Sequence, residues 1–478
     1  MKVVRDPIHG YIRLDDLAID ILDTREMQRL RRIRQLGFSY LVYPGANHTR
    51  FEHSLGVFHL TSVLLEHLNV REETEELLAA ALIHDIGHGP YSHVSEPLIR
   101  KFTGKSHEDI EDIVLGNAIG NATTADAEDG DARRVRWREG AERGEQGERG
   151  KQGKQGERGD ARTVTEVLER HDLDKRKVLS FVKGTEKLSG ILNGEIDADK
   201  MDYLVRDAYY TGVAYGVIDN IRLIQGISMF EGEIVLTEKG IIPAEYLIFS
   251  RFLMYPTVYN HHTTRIAQAM FIRALEAYLE ECEDARAFAF TLRRMDDYEV
   301  NVLLRNAKGF PREMIERINE RRLFKRAFYR KMSEIDAGIL SELEDERKCK
   351  EIEAEIARRA RVERSLVILD VQRRETAEES AAKVLIGEGH EGSVGSDEFT
   401  RSAERSGSER RSGSEEGSEE GGSGAVRSRG AVRLKPLREV SALVRMVERA
   451  MSESYNVGVY TIPEERDAVR KAAEAVLC

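Results

Sequence analysis

The sequence predicts a mainly α-helical body with a small α/β module at its C-terminal end. Three observations predict it. Apolar residues recur at three- and four-residue steps over most of the chain, strand-like runs are few and short, and two compositionally distinct tracts interrupt the pattern.

In chain order, Leu17, Ile21 and Leu22, then Met27, Leu30, Ile33 and Leu36, place helices on both sides of Asp23-Thr24. Helical stripes follow at Leu55–Leu68, Glu73–His84, Asp197–Tyr210 and Pro243–Leu279, the last kinked at Pro256. Runs with strand character stand at Glu233–Thr237 and Leu366–Val371. Leu437–Ser452 reads as helix, Val457–Ile462 as strand and Glu464–Val476 as helix. The first odd tract, 122–162, has glycine at every third position from Gly144 to Gly159. It lacks the proline that pre-orders a collagen strand, so a disordered insertion is expected. The second, 387–430, is rich in Gly, Ser, Glu and Arg and reads as a flexible linker. The expected organisation is a body in two parts (1–121 and 163–280), a helical extension with short strands (281–386), the linker, and a small α/β module (431–478).

Composition excludes several classes. Lys and Arg total 73 against 85 Asp and Glu, a net charge of −12, which argues against a protein that coats nucleic acid. The short basic stripe Arg29, Arg31, Arg32 and Arg34 reads as a solvated face or an oligomer contact. Cys282, Cys349 and Cys478 have no ligand spacing, which excludes a disulfide framework and a cysteine zinc site. No apolar run approaches membrane-spanning length, and Met1–Asp6 opens no signal peptide. A cytoplasmic protein is expected.

Histidine carries the chemical signal. His48, His53, His59, His67, His84, His88, His93 and His107 crowd one stretch of a chain that has 13 in all. At its centre, His84-Asp85 ends an apolar helix, and Gly87, Gly89 and Pro90 break that helix so that backbone can approach a ligand. His53 and Asp199 are the best candidates to complete a set of two nitrogens and two carboxylates. Such a set suits Mn, Fe, Zn or Mg with open water positions. On the helix beginning near Asp197, Asp199, Tyr203, Arg206 and Tyr210 fall on one face bordered by Asp207, and Lys200 and Arg50 could neutralise phosphates. A second helix offers Arg251, Tyr255, Tyr259 and His262 at similar spacing.

The order His53…His84-Asp85…Asp199 resembles the HD-domain metal-dependent phosphohydrolases. The segments Asp6-Pro7-Ile8-His9-Gly10, Gln28-Arg29-Leu30-Arg31, Gln35-Leu36-Gly37, Phe51-Glu52-His53-Ser54-Leu55-Gly56-Val57 and His84–Pro90 are similar to the deoxynucleoside triphosphate triphosphohydrolases that carry a SAM domain in animals. The resemblance covers about 1–118 and 164–280, and no SAM domain is expected ahead of it. It implies an HD-type helical fold that hydrolyses dNTPs to deoxynucleoside and triphosphate. A divalent metal would be held by His53, His84, Asp85 and Asp199. Arg50, Lys200 and Arg251 would hold the polyphosphate, and His88 would hydrogen-bond it. His93 and His107, oriented by Glu96, are the candidates for proton transfer. Gln35, Leu36, Tyr203, Asp207 and Tyr259 would form the sugar pocket, with Leu36 and Tyr259 excluding a 2′-hydroxyl.

The resemblance further implies a homo-oligomer activated by a guanine nucleotide at Asp23, Gln28 and Arg31, with a second nucleotide near Lys2, Val3 and Arg222. His262 departs from the family's lysine, and Tyr255 from its histidine. Two other readings are carried forward. One is an HD phosphohydrolase or phosphodiesterase acting on another nucleotide; the other is a non-catalytic nucleotide sensor or nucleic-acid binder.

Overall fold

The computed structural model describes residues 2–116, 163–372, 378–387 and 432–478. The insertion 122–162 and the linker 387–430, except Gly387, lie outside the described residues.

The expected helices form, and their ends follow local chemistry. Helix Arg50–His67 starts from a capping box in which Glu52 reaches back to Thr49, a reciprocal pairing of groups that would otherwise lack partners. Helix Thr74–Ile83 carries the Leu77–Ile83 apolar run into the core and stops at His84. Asp197 caps helix Ala198–Thr211 by accepting from Lys200 N. The stripe read as one kinked helix is two, Ile241–Met254 and His262–Glu280, joined by a π-helical turn at Tyr255–Tyr259. Pro256 is the cause: it has no N–H to donate, and its ring displaces the preceding turn.

Strands β1 (Lys2–Asp6) and β2 (Gly10–Leu14) form an N-terminal hairpin that the helical pattern did not signal. β3 (Ile227–Phe230) and β4 (Glu233–Leu236) form a second hairpin. The remaining strands are β5 (Lys325–Lys331), β6 (Ile368–Val371), β7 (Lys383–Gly387), β8 (Val432–Pro436) and β9 (Asn456–Thr461). β7 and β8 extend the second hairpin in the order β3-β4-β7-β8, while β9 lies between β5 and β6. Residues 431–478 therefore differ from the separate module expected. β9 is the central strand of one sheet and β8 the edge of another, so the tail completes layers begun more than a hundred residues earlier. Helix Arg466–Leu477 then buries Val469, Ala473 and Leu477 against this C-terminal core.

Among the described residues no helix is long and apolar enough to cross a membrane.

Candidate metal centre and active site

Three helix ends converge. His53 lies in the first turns of helix Arg50–His67, His84 closes helix Thr74–Ile83, and Asp199 sits in the first turn of helix Ala198–Thr211. His53 Nε2 is 2.7 Å from Asp199 Oδ1, and the two imidazole rings are 5.4 Å apart. Asp85 Oδ1 is 3.5 Å from His84 Nε2, and Asp85 Oδ2 is 3.8 Å from His53 Nε2.

The donors fit a divalent cation. His84 Nδ1 donates to Ala81 O at 2.8 Å, which leaves its Nε2 as a lone-pair acceptor. That Nε2 is buried without a hydrogen-bond partner among the described residues. It sits in a group with His53 and Asp199 whose ligand atoms all lie within 4.8 Å of one another. Electrostatics agree. Burial alone would lower the His53 pKa, but Asp199, Asp202 and Asp85 outweigh it and hold it up at about 10. Burial would raise the Asp85 carboxyl, yet Arg50, His84 and His88 keep it well below the usual range. The pocket is built for positive charge, and these clusters can coordinate a divalent metal.

Behind the ligands lies a buried network. His53 Nδ1 pairs with Asp202 Oδ2 at 2.8 Å, and His9 Nε2 with Asp202 Oδ1 at 2.6 Å. Arg206 donates to both Asp202 oxygens and to Asp6 Oδ2. Close helix approach is possible only because residue 56 is glycine: a Cβ there would lie 1.8 Å from Asp202 Oδ1. Asp6 and His9 stand in the Asp6–Gly10 segment quoted above without a role, and Asp202 was not singled out; the available signal was its place three residues beyond Asp199.

On the other side of Asp85 lies a second cluster of His88, His93, Glu96 and His107. The His88 and His107 rings stack at 4.2 Å, and His93 stands edge-on to His88 at 4.7 Å. Glu96 accepts from His107 Nδ1 at 2.5 Å and pairs with His93 Nδ1 at 2.8 Å. Gly87 makes this possible, since a Cβ there would meet His107 O at 2.0 Å. The cluster splits its members electrostatically. Burial, Arg50 and His107 push the His88 pKa well down. Burial also opposes charge on His107, but the Glu96 hydrogen bond and carboxylate prevail and raise it.

The sugar-pocket candidates form one wall. Tyr259 OH donates to Asp207 Oδ2 at 2.9 Å, and Arg251 donates to Tyr203 OH at 3.2 Å and Tyr255 OH at 3.0 Å. Buried Gln35 leaves its Oε1 without a hydrogen-bond partner among the described residues, and Leu36 packs partly buried against the core.

Four of the expected residues are held by neighbouring groups. Arg206 faces the interior instead of the substrate face, because Asp202 and Asp6 neutralise it there. Lys200 Nζ turns back onto Asp197 Oδ2 and Gly194 O, each at 2.8 Å, satisfying the cap of its own helix. Arg50 is buried against Asp85 and Ser92, which makes it part of the floor of the site. Asp207 has both carboxylate oxygens engaged, one by Tyr259 and the other by buried His48 at 2.8 Å, a residue that sequence reasoning did not single out for this wall.

At the activator positions, Asp23 ends helix Asp16–Leu22 and Thr24 caps the next helix. Arg31 lies over the Phe51 ring with its Nε on Gln28. Lys2, Val3 and Arg222 lie at the surface.

Comparison with known proteins matches this architecture. The sequence pattern of the HD domain matches residues 50–132, and that of the HD associated region matches 218–391 and 415–478. An uncharacterized protein of Methanocaldococcus jannaschii is 35% identical over 329 residues, covering 68% of this chain and 59% of that protein. A deoxynucleoside triphosphate triphosphohydrolase SAMHD1 homolog of Dictyostelium discoideum is 27% identical over 346 residues, again 68% of this chain and 59% of that protein. The chain thus spans just over half the length of these curated relatives. The crystal structure of a hypothetical protein from Aquifex aeolicus superposes with a TM-score of 0.65 at 26% identity, covering 98% of this chain and 99% of that one.

Proposed function

Starting from an HD-domain phosphohydrolase fold related to the SAM- and HD-domain dNTPases, we propose that this protein hydrolyses deoxynucleoside triphosphates to deoxynucleoside and triphosphate. The observation that carries the reading is the continuity of one helix. Ala198–Thr211 supplies the metal ligand Asp199 at its start, then Tyr203, then Asp207, and the last two are tied to Arg251 and Tyr259 of the facing segment. A phosphate-binding centre and an aromatic wall suited to a sugar are thereby set on one rigid element.

A metal bound by His53, His84, Asp85 and Asp199 would supply Lewis acidity toward a phosphate oxygen and a lowered pKa for attacking water. The rest is done by the chain. Arg251 places positive charge beside the polyphosphate path, and neutral His88 hydrogen-bonds an oxygen on which charge develops. Water attacks the α-phosphorus and its bond to the 5′ oxygen breaks. The water oxygen leaves on triphosphate, and the 5′ oxygen takes up a proton. His107, whose pKa Glu96 raises, is the source of that proton and regains one from the water consumed, with His93 beside it. Leu36 and Tyr259 close the space a 2′-hydroxyl would need.

The commitment of Lys200 to Asp197 and of Arg50 to Asp85 leaves fewer cations for phosphates than expected. That observation favours, as the second reading, an HD phosphohydrolase acting on a nucleotide with fewer phosphates. Incubating the protein with Mn²⁺ and each dNTP or each dNMP, with product identification, separates the two. Triphosphate and deoxynucleoside support the proposal, whereas orthophosphate from a monophosphate supports the alternative. The proposal extends to a homo-oligomer stimulated by guanine nucleotide at Asp23, Gln28, Arg31, Lys2, Val3 and Arg222. Light scattering and dATP hydrolysis with and without GTP test it, and a monomer indifferent to GTP rejects it.

A further inference from the structure

Arg29, Arg32 and Arg34, which the reading above leaves without a task, face an acidic corner. There helix Ala285–Arg294 passes through Met295 and Asp296 into helix Asp297–Asn306. Arg29 donates to Met295 O at 3.0 Å, to His88 O at 2.8 Å and to Ile86 O at 2.6 Å. Arg32 pairs with buried Asp296, and Asp297 N donates to Arg32 O at 3.2 Å. The Asp297 carboxylate, 1 % exposed, accepts from Tyr91 N at 2.6 Å with one oxygen and from Arg34 N at 3.1 Å with the other. Just before the corner, buried Arg293 grips Asp112 and donates to Ser106 O at 3.2 Å and Asp109 O at 2.6 Å. These contacts fall on both sides of the histidine cluster: Ile86, His88 and Tyr91 in one loop, and Ser106 and Asp109 around His107 in the other.

One loop needs holding. Tyr91 and Ser92 have φ of 56° and 58°, two consecutive non-glycine residues in the left-handed region. That conformation is unfavourable and persists only when surrounding contacts over-determine it. It turns the chain between His88 and His93 so that both rings meet His107. The Ser92 hydroxyl is fixed by Arg50 Nε and Arg34 O, and the Tyr91 N–H by Asp297.

We propose that the corner Arg293–Asp297 is a latch supplied by the region beyond the HD domain, and that Asp297 is the positioning residue that holds the His88–His93 loop in its proton-transfer geometry. The proposal rests on the hydrolytic reading above. Asp297 touches neither His53, His84 nor Asp199, so the latch acts on the histidine cluster and not on metal capture. Displacement of a reacting group by about 1 Å costs about 100-fold in rate.

The test compares Asp297→Ala and Asp297→Asn with Leu304→Ala, a core truncation in the same helix whose side chain can make no hydrogen bond to either loop. Four quantities are read: amide exchange at Tyr91, histidine ring resonances, Mn²⁺ affinity by calorimetry, and kcat and KM on the dNTP that the wild type hydrolyses. In Asp297→Ala, Tyr91 loses protection and kcat falls about 100-fold, while KM and Mn²⁺ affinity hold. Asp297→Asn shows a smaller fall in the same direction and carries the test if the alanine variant does not fold. Leu304→Ala lowers Tm and keeps kcat. Wild-type kcat in the Asp297 variants, or an equal loss in Leu304→Ala, overturns the latch. A wild type that hydrolyses no nucleotide ends the hydrolytic reading instead. The latch then stands if the His88, His93 and His107 resonances move in Asp297→Ala, and falls if they do not.

Discussion

The two histidine sets share Asp85 between them and are built by opposite means. His53, His84 and Asp199 stand in the end turns of helices, whose regular backbone sets their direction. His88, His93 and His107 stand on loops and a short 3₁₀ turn, where isolated turn hydrogen bonds such as His88 N to Asp85 O are the local support. Around them lie partners far away in sequence, half-buried Arg29 and Arg34 and buried Arg293 and Asp297. A cation site tolerates this economy of parts because its ligands need only be held at a common distance. Proton transfer needs ring orientation as well, and orientation on a loop has to be imposed from outside.

The sharpest break in this comparison is His84→Ala combined with Asp85→Ala. It removes Mn²⁺ binding by calorimetry and all detectable hydrolysis while the circular dichroism of the helical body persists. Retained stoichiometric metal with normal turnover would refute the ligand assignment. Next comes His107→Ala, which lowers kcat by about 10²- to 10⁴-fold, the range of general acid–base catalysis, and leaves Mn²⁺ affinity intact. Parallel loss of metal would merge the two sets into one.

Asp202→Asn sharpens the comparison from the metal side. Removing the carboxylate that orients His53 Nδ1 weakens metal binding by about 10- to 100-fold, measured by chelator competition, with little change in rate at saturating metal. A smaller change follows from Tyr259→Ala. Steric rejection of an added hydroxyl is worth about a hundredfold in an apolar pocket, and the dGTP-over-GTP ratio in kcat/KM should fall severalfold in this variant. Equal turnover of GTP and dGTP by the wild type would favour the second reading.

The finest test is a shift along the pH axis. Glu96 raises the His107 pKa above the ordinary 6.5, so the active protonated form extends to higher pH. In Glu96→Gln burial is no longer outweighed, the pKa falls, and the alkaline limb of kcat moves to lower pH. The stability sign runs the same way. The contribution of the raised His107 is complete below 6.5 and lost as pH rises through its folded value. That of Glu96, whose carboxyl His107 and His93 hold far below 4.5 against burial, is present above 4.5 and lost as pH falls. Thermal melts of Glu96→Gln across pH should lose both slopes.

The sequence by itself determined the helical body, the order of its helices and the residues His53, His84 and Asp199 that their ends bring together. Helix periodicity, capping residues such as Thr49 and Asp197, and a His-Asp pair at the end of an apolar run are local signals, written in neighbouring residues. Tertiary structure decided the rest. Whether Arg206, Lys200 and Arg50 face substrate or a carboxylate depends on which distant Asp arrives beside them, and a cation on a helix face reads the same in either case. The stripe Arg29–Arg34 reads as solvated surface until Asp296 and Asp297, more than 260 residues away, fold onto it. The tail reads as a separate module until β9 enters between β5 and β6. Buried charge pairing and sheet order are long-range contacts that no local pattern encodes, which is why the cluster of His53, His84 and Asp199 was legible in the sequence and the contacts around the second histidine cluster were not.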